Sequence, residues 1–311
     1  METNKCTITI TFGDVAENHV GMQKLGKMAT DGFTITEMQK FKRTFEKKAL
    51  EYSLTVEYYD LSSEMSFDCE AASVLVIRNG LSLFMDDIDS FYEEEKERDW
   101  DTKAFMRGQV KNKRARYNLC YADFSQEPNF EEGKGRVINF EDSKSMKNIR
   151  NGLGLVLCPK ARNLNAEGNK YYDISQCGIG FHGDAERKIV VAFRLGETMP
   201  LRYAWFQRNV PISEPVTIDI GHGDMYIMSS KAVGTDWKKS SIPTLRHAAG
   251  CEKYISMSVF EKRAAKKERK SDGNSDTKIT VKELKEQAKD KGVKGYSKMK
   301  KNELIEALKN V

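Results

Sequence analysis

The chain has 311 residues, 39% hydrophobic and 31% charged: enough apolar material for two or three packed domains. No apolar run approaches the ~20 residues that a bilayer-crossing helix needs, so a membrane span is excluded. The net charge of +5 is uneven. Residues 262–311 hold 16 Lys/Arg against 8 Asp/Glu, which leaves residues 1–261 at −3; the excess basicity is C-terminal, where a polyanion is the expected partner. Residues 1–5 carry no signal-peptide pattern. Six cysteines without a C-x-x-C pair read as reduced thiols in a cell interior, cytoplasm or nucleus, and neither as a disulfide framework nor as zinc ligands.

Residues 6–12 alternate Thr with Ile and Phe as a strand. Gly13 to Asn18 reads as a turn. Residues 38–52 space apolar groups as a helix, and 51–59 and 72–77 read as further strands. Residues 1–95 are therefore expected to form a small α/β domain with no catalytic constellation. The acidic stretch 86–100 is expected to join it to the next domain.

The chain has four histidines: His19, His182, His222 and His247. His182 and Asp184 form an H-x-D triplet, and residues i and i+2 at a strand end point to one face. His247 lies downstream. Two imidazoles and one carboxylate leave the opposite metal positions open, as in non-haem Fe(II) sites that bind a co-substrate and O2. Such triplets also arise as ordinary hydrogen-bonded surface residues, so the flanks decide. A strand-like run precedes Gly178 and Gly180, and residues 189–196 alternate after the triplet. Gly223-Asp224 precedes a Met-rich strand, and Trp237 leads to His247. Strand, turn, ligands, strand, Gly-Asp, strand, ligand, strand is the order of a double-stranded β-helix oxygenase. His222, between two glycines, reads as a turn residue, and His19 has no partner motif.

On these residues the segment from about Tyr117 to Phe260 resembles the AlkB family of Fe(II)/2-oxoglutarate dioxygenases, in a layout similar to those of large DNA viruses. The resemblance implies an α+β multidomain protein with a jelly-roll (double-stranded β-helix) core over residues 96–263. It implies that His182, Asp184 and His247 hold Fe(II), with 2-oxoglutarate and O2 as co-substrates. Tyr172 stands where the family has a tyrosine some ten residues before the first ligand, and is expected at the co-substrate. Two departures bear on the site. The family's distal histidine follows its Trp closely, but Trp237 is followed by Lys238 and Lys239, which leaves His247. The family anchors the far carboxylate of 2-oxoglutarate with two arginines in its final strand; here residues 253–260, read as that strand, offer only Lys253, with Arg263 just after. In the family the segment before the barrel covers the substrate. Tyr117, Tyr121 and Phe130 are then candidates to stack on a flipped base, or else are aromatics packed in an outer strand. The implied reaction is oxidative demethylation of alkylated bases. Fold does not fix substrate, so a protein side-chain hydroxylase is the rival enzyme. A non-catalytic nucleic-acid-binding adaptor with a degenerate barrel is the third reading.

Residues 264–277 are polar and read as a linker. Thr280 to Glu283 is a capping box. The helix it opens carries Leu284 and Ala288 and ends at Gly292. Ser297 is placed to cap a second helix with Met299, Leu304, Ile305 and Leu308. Residues 278–311 resemble the SAP and Rho N-terminal helix-extended-loop-helix modules, which implies DNA or RNA as partner. Lys294, Lys298, Lys300 and Lys301 would contact phosphates, which position without reading sequence. A helical hairpin that docks a protein is the alternative.

Overall fold

β1 (Thr7–Gly13) is buried along its whole length, although it alternates Thr with Ile and Phe. Alternation ordinarily marks a strand with one wet face; here both faces are covered. Ile8, Ile10 and Phe12 join one hydrophobic core, and Thr9 and Thr11 line a cavity on the other side. The computed structural model describes residues 5–258, 260 and 280–309. They fall into two units, Met1–Met257 and Ser258–Val311.

In the first unit β2 (Val15–Glu17) and β3 (Lys24–Gly26) form a hairpin. α1 (Ile35–Tyr52) follows, opened by the capping box of Thr34 and Glu37. Then come β4 (Thr55–Asp60), β5 (Ser73–Arg78), α2 (Ile88–Lys96) and the hairpin of β6 (Lys103–Met106) and β7 (Gln109–Asn112). β8 (Tyr117–Ala122), β9 (Val137–Asn139), α3 (Lys144–Val156), β10 (Asn165–Tyr171) and β11 (Gly178–His182) lead into the second half. β12 (Val191–Gly196), β13 (Met199–Gln207), β14 (Val210–Pro211), β15 (Val216–Ile220) and β16 (Met225–Met228) are followed by α4 (Ser230–Val233), β17 (Thr244–Gly250) and α5 (Glu252–Ile255).

The fold is mixed α+β and mostly sheet. Eight strands run in the order β4-β5-β16-β12-β1-β10-β8-β9; only the β8–β9 pair is parallel. Five make a second sheet, β11-β17-β13-β14 with β15 on the free side of β13. Side chains of both sheets share one core: Val74 and Val76 of β5 and Ala192 of β12 with Leu201 and Trp205 of β13 and Leu245 of β17. On its other face the large sheet packs against Phe41 and Phe45 of α1 and Ile149 and Leu153 of α3.

This corrects the expected division at residue 95. β1 hydrogen-bonds to β10 and β12, and β5 to β16, so the first 95 residues are built into the large sheet. Periodicity shows which face of a strand is apolar, but not which distant strand it pairs with. The expected final strand at 253–260 is also corrected. Among the described residues the last strand is β17, which carries His247, and Lys253 sits on the short helix α5. The acidic stretch 86–100 forms α2, and its Glu95 is fully buried, with burial pushing its carboxyl up to about 7.

In the second unit a helix spans Val281–Asp290 behind the expected Thr280/Glu283 capping box. Its Leu284 and Ala288 pack on Leu304 of the helix Lys301–Lys309. Ser297 lies in a 3-10 turn, Tyr296–Lys298, and does not cap that helix; the backbone N–H of Lys300 instead donates to the Glu303 carboxylate. The expected linker 264–277 lies outside the described residues. Among the described residues no helix is long and apolar enough to cross a membrane.

Candidate metal centre

The pairing of β11 with β17 sets His182 directly opposite His247, after a bulge between Ile179 and His182. The two imidazole centroids lie 4.5 Å apart. Asp184, two residues past the end of β11, is fixed by its backbone N–H, which donates to the Val233 carbonyl at 2.9 Å. Its Oδ1 lies 3.5 Å from Nε2 of His182 and 3.6 Å from Nε2 of His247. One ligand atom from each residue falls within 4.8 Å of the others. Gly183 lets the chain pass: a Cβ there would meet the Gly234 carbonyl oxygen at 2.1 Å. Gly183→Ala is therefore expected to displace Asp184, lowering divalent-metal affinity at least about 10-fold and destabilising the fold by roughly 1–3 kcal/mol through overpacking. Calorimetric metal titration and thermal melts check this; wild-type affinity in the variant would contradict the close approach.

Nδ1 of His182 donates to the Gly180 carbonyl at 2.8 Å, which leaves the Nε2 lone pair facing Asp184. Burial, helped by the neighbouring His247, pulls the His182 imidazole down to about 4, against the pull of Asp184. Burial acts to raise the Asp184 carboxyl, but Arg187 and the two imidazoles outweigh it and hold it well below the carboxylate range. At neutral pH the centre thus offers a neutral His182 and an ionised Asp184, the protonation states a metal needs. Arg187 is 3% exposed; its Nε lies 3.6 Å from Asp184 Oδ2, and its guanidinium also pairs with Glu167 and Glu186. One Asp184 oxygen thus faces the imidazoles and the other faces Arg187. Nδ1 of His247 is buried with no hydrogen-bond partner among the described residues. Two imidazoles and a carboxylate converging in this way fit a divalent first-row metal such as Fe(II), held at Nε2 of His182, Oδ1 of Asp184 and Nε2 of His247.

The three residues line a cavity of about 680 Å³. A polar row crosses the large sheet on the cavity side: Arg194 of β12, Thr9 of β1, Asn169 of β10 and Asn118 of β8 are successive register partners. Arg194 is completely buried, and among the described residues its Nε and Nη1 meet no partner; neither does Oγ1 of Thr9. The guanidinium carbon stands 5.9 Å from the Tyr171 ring.

Strand parity decides where the other expected site residues lie. Tyr171 lines the cavity, so Tyr172 does not; it stacks on Tyr117 at 4.6 Å, and its hydroxyl donates to the Arg114 carbonyl. On β8 Tyr117, Leu119 and Tyr121 point to the helix side. Tyr121 is fully buried there, with its hydroxyl on Glu95. Phe130 lies in a 3-10 turn and, with Tyr117, borders a separate surface hollow beside Trp100. None of the three lines the metal cavity. Lys253 is exposed on α5, with its Nζ 5.3 Å from the Tyr254 ring, and Arg263 lies outside the described residues. His222 accepts from the Gly196 N–H, far from the triad in register, whereas His19 lines the cavity. Lys294, Lys298 and Lys300 are exposed in the second unit, and Lys301 is half-buried. Sequence reasoning missed Arg194, Thr9, Arg116 and Arg187. For Arg194 a signal existed: it is the one charge inside an otherwise apolar strand, Val191–Gly196.

Two comparisons bear on this arrangement. Residues 277–311 match the family described as Rho termination factor, N-terminal domain. Over 256 residues the chain is 48% identical to "Uncharacterized protein R156" of Acanthamoeba polyphaga mimivirus, an alignment covering 81% of this chain and 98% of that protein. The chain belongs to the family of that mimivirus protein and carries a Rho N-terminal-type domain, a fold associated with nucleic acid, at its C-terminus.

Proposed function

We propose that the protein is an Fe(II)- and 2-oxoglutarate-dependent dioxygenase that acts on nucleic acid, removing N-methyl groups from alkylated bases by hydroxylation. The observation that carries this reading is the pairing, in one cavity, of the His182/Asp184/His247 triad with the buried guanidinium of Arg194, whose Nε and Nη1 have no hydrogen-bond partner among the described residues. On this reading the two packed sheets are the two faces of a double-stranded β-helix. The free cysteines fit a reducing interior, cytoplasm or nucleus.

Fe(II) would supply the activation of O2 with 2-oxoglutarate as the electron donor. The chain's own groups do the rest. His182, Asp184 and His247 hold the metal, and Arg187 keeps the second oxygen of Asp184 turned away from it. Arg194 receives the far carboxylate of 2-oxoglutarate, and Oγ1 of Thr9, opposite it in register, adds a hydrogen bond. Val190, Leu201 and Met228 line the same cavity and exclude water.

An anaerobic titration with Fe(II) and 2-oxoglutarate tests this, through the weak visible charge-transfer band of the chelate. Formaldehyde release from N-methylated oligonucleotides is the expected reaction. Oxygen incorporation into peptides instead would make it a protein hydroxylase. No band and no succinate would leave the adaptor reading.

The Rho-type domain serves on this reading as a tether. Deleting residues 277–311 is expected to leave turnover of short single strands nearly intact but to weaken binding of long nucleic acid by roughly 10- to 100-fold. The lost part should be the salt-sensitive part, since Lys294, Lys298 and Lys300 would act through phosphates. Equal affinities of the two chains for a long strand at low and physiological salt would remove nucleic acid from the domain's role.

A further inference from the structure

The wall of the cavity facing the triad can be read by what its polar groups already bond. Its carboxylates Glu17, Glu167 and Glu186 are each engaged by a donor of the chain. Glu167 accepts from Arg187, from Nδ2 of Asn169 and from the Glu17 backbone. Glu186 accepts from Arg187, and Glu17 from the Gly21 N–H. The donors are left over. Arg116, just before β8, gives only its Nε, to Oδ1 of Asn169 at 2.6 Å. Asn118 and Glu167 hold that asparagine in turn, so the guanidinium is fixed in direction while its two η nitrogens make no bond among the described residues. The indole N–H of Trp237 is buried without a partner among the described residues, and Lys238 stands with its Nζ 5.6 Å from the Trp237 ring. Arg116, Trp237 and Lys238 all line the cavity that holds the triad. Nε1 of Trp237 and a guanidinium can only donate. Arg116, Trp237 and Lys238 are spare donors, two of them on cationic residues, and such a group is complementary to an acceptor-rich anion. Arg194 is a separate position: it lies on β12, three strands away from β8 across β1 and β10.

We propose that Arg116, with Trp237 and Lys238, forms a phosphate subsite that holds the backbone of a nucleotide substrate beside the metal centre. This rests on the nucleic-acid oxygenase reading. An acidic side chain offers the same charge, but the Rho-type domain on the same chain favours the nucleotide. A planar guanidinium with two outward N–H groups matches two phosphate oxygens in a bidentate contact.

The test uses the full chain loaded with Mn(II), with thymidine 5′-monophosphate as probe. Metal binding is read from loss of the free-ion paramagnetic resonance signal, and phosphate position from the 31P relaxation of the nucleotide. Bound Mn(II) is expected to speed 31P relaxation, whereas Zn(II) does not. Arg116→Met is expected to weaken the nucleotide about 10- to 100-fold, with Arg116→Lys in between. Unchanged Mn(II) and 2-oxoglutarate affinities in both variants show that the centre is intact. Bound Mn(II) without relaxation, or relaxation that survives Arg116→Met, overturns the subsite alone. A loss of 2-oxoglutarate affinity instead assigns Arg116 to the co-substrate and overturns it too. An acidic peptide that displaces the nucleotide and binds more tightly makes the chamber a protein site. Failure of Mn(II) to bind overturns the oxygenase reading and this inference together.

Discussion

Asp184→Ala and His247→Ala are each expected to abolish stoichiometric binding of Fe(II) or Mn(II) and all 2-oxoglutarate turnover. Their reach follows from the geometry. Oδ1 of Asp184 is within 3.6 Å of both imidazole Nε2 atoms, so each ligand atom is a near neighbour of the other two. Removing one leaves two ligands for an ion that in water keeps its full hydration shell. Partners behind the ligands are worth roughly 10- to 100-fold in affinity, and a ligand is worth more. Arg187→Met should fall in that smaller class: it frees Oδ2 of Asp184 and also strands Glu167. His222→Ala is the control, since its imidazole serves the Gly196 N–H and Asp89. Calorimetry on each variant decides. Wild-type metal affinity in His247→Ala would falsify the triad, whatever the activity.

How much of this was legible beforehand depended on distance along the chain. The triplet His182-Gly183-Asp184 reads from two-residue periodicity alone. The third ligand, His247, came from the small histidine count and the order of elements. α1 and the Thr280 capping box read directly, because helix signals are local. The place of β1 did not. Its alternating Thr and Ile look like a half-wet strand, whereas the threonines face a cavity roofed by a second sheet. That roof is made of β11, β13 and β17, some 165 residues or more further on. The aromatic candidates failed by parity. Tyr172 is one residue from a cavity-facing position, Tyr171, and Tyr121 lies on the helix side of β8 while its neighbour Cys120 faces the other way; a one-residue step turns a side chain to the opposite face. Lys253 was sought on a final strand after the distal histidine, with Arg263 just beyond it; that histidine is itself on the last strand among the described residues, Lys253 sits on α5, and the buried cation that lines the cavity is Arg194 of β12.

Arg194→Met is the second decisive variant, because two readouts should move in opposite directions. A buried charge-assisted contact to a carboxylate is worth roughly 1.5–3 kcal/mol, so the 2-oxoglutarate requirement should rise about 10- to 150-fold. Lys253→Ala should leave it unchanged, since Lys253 is exposed on α5. In the protein without co-substrate the same guanidinium is a liability. It is fully buried, Nε and Nη1 have no partner among the described residues, and burial works to lower its affinity for its proton. An unpaired buried charge costs stability, and an apolar side chain of similar length removes that cost. Arg194→Met is therefore expected to melt higher than wild type without ligand, by an amount on the order of 1–3 kcal/mol, and to gain less on adding 2-oxoglutarate with metal. A residue held only for packing would lower the melting temperature and leave the co-substrate requirement alone. That pair of results would end the assignment of Arg194 to the carboxylate. The predicted pair, a more stable protein that no longer holds its co-substrate, is the signature of a group kept for binding at the expense of the fold.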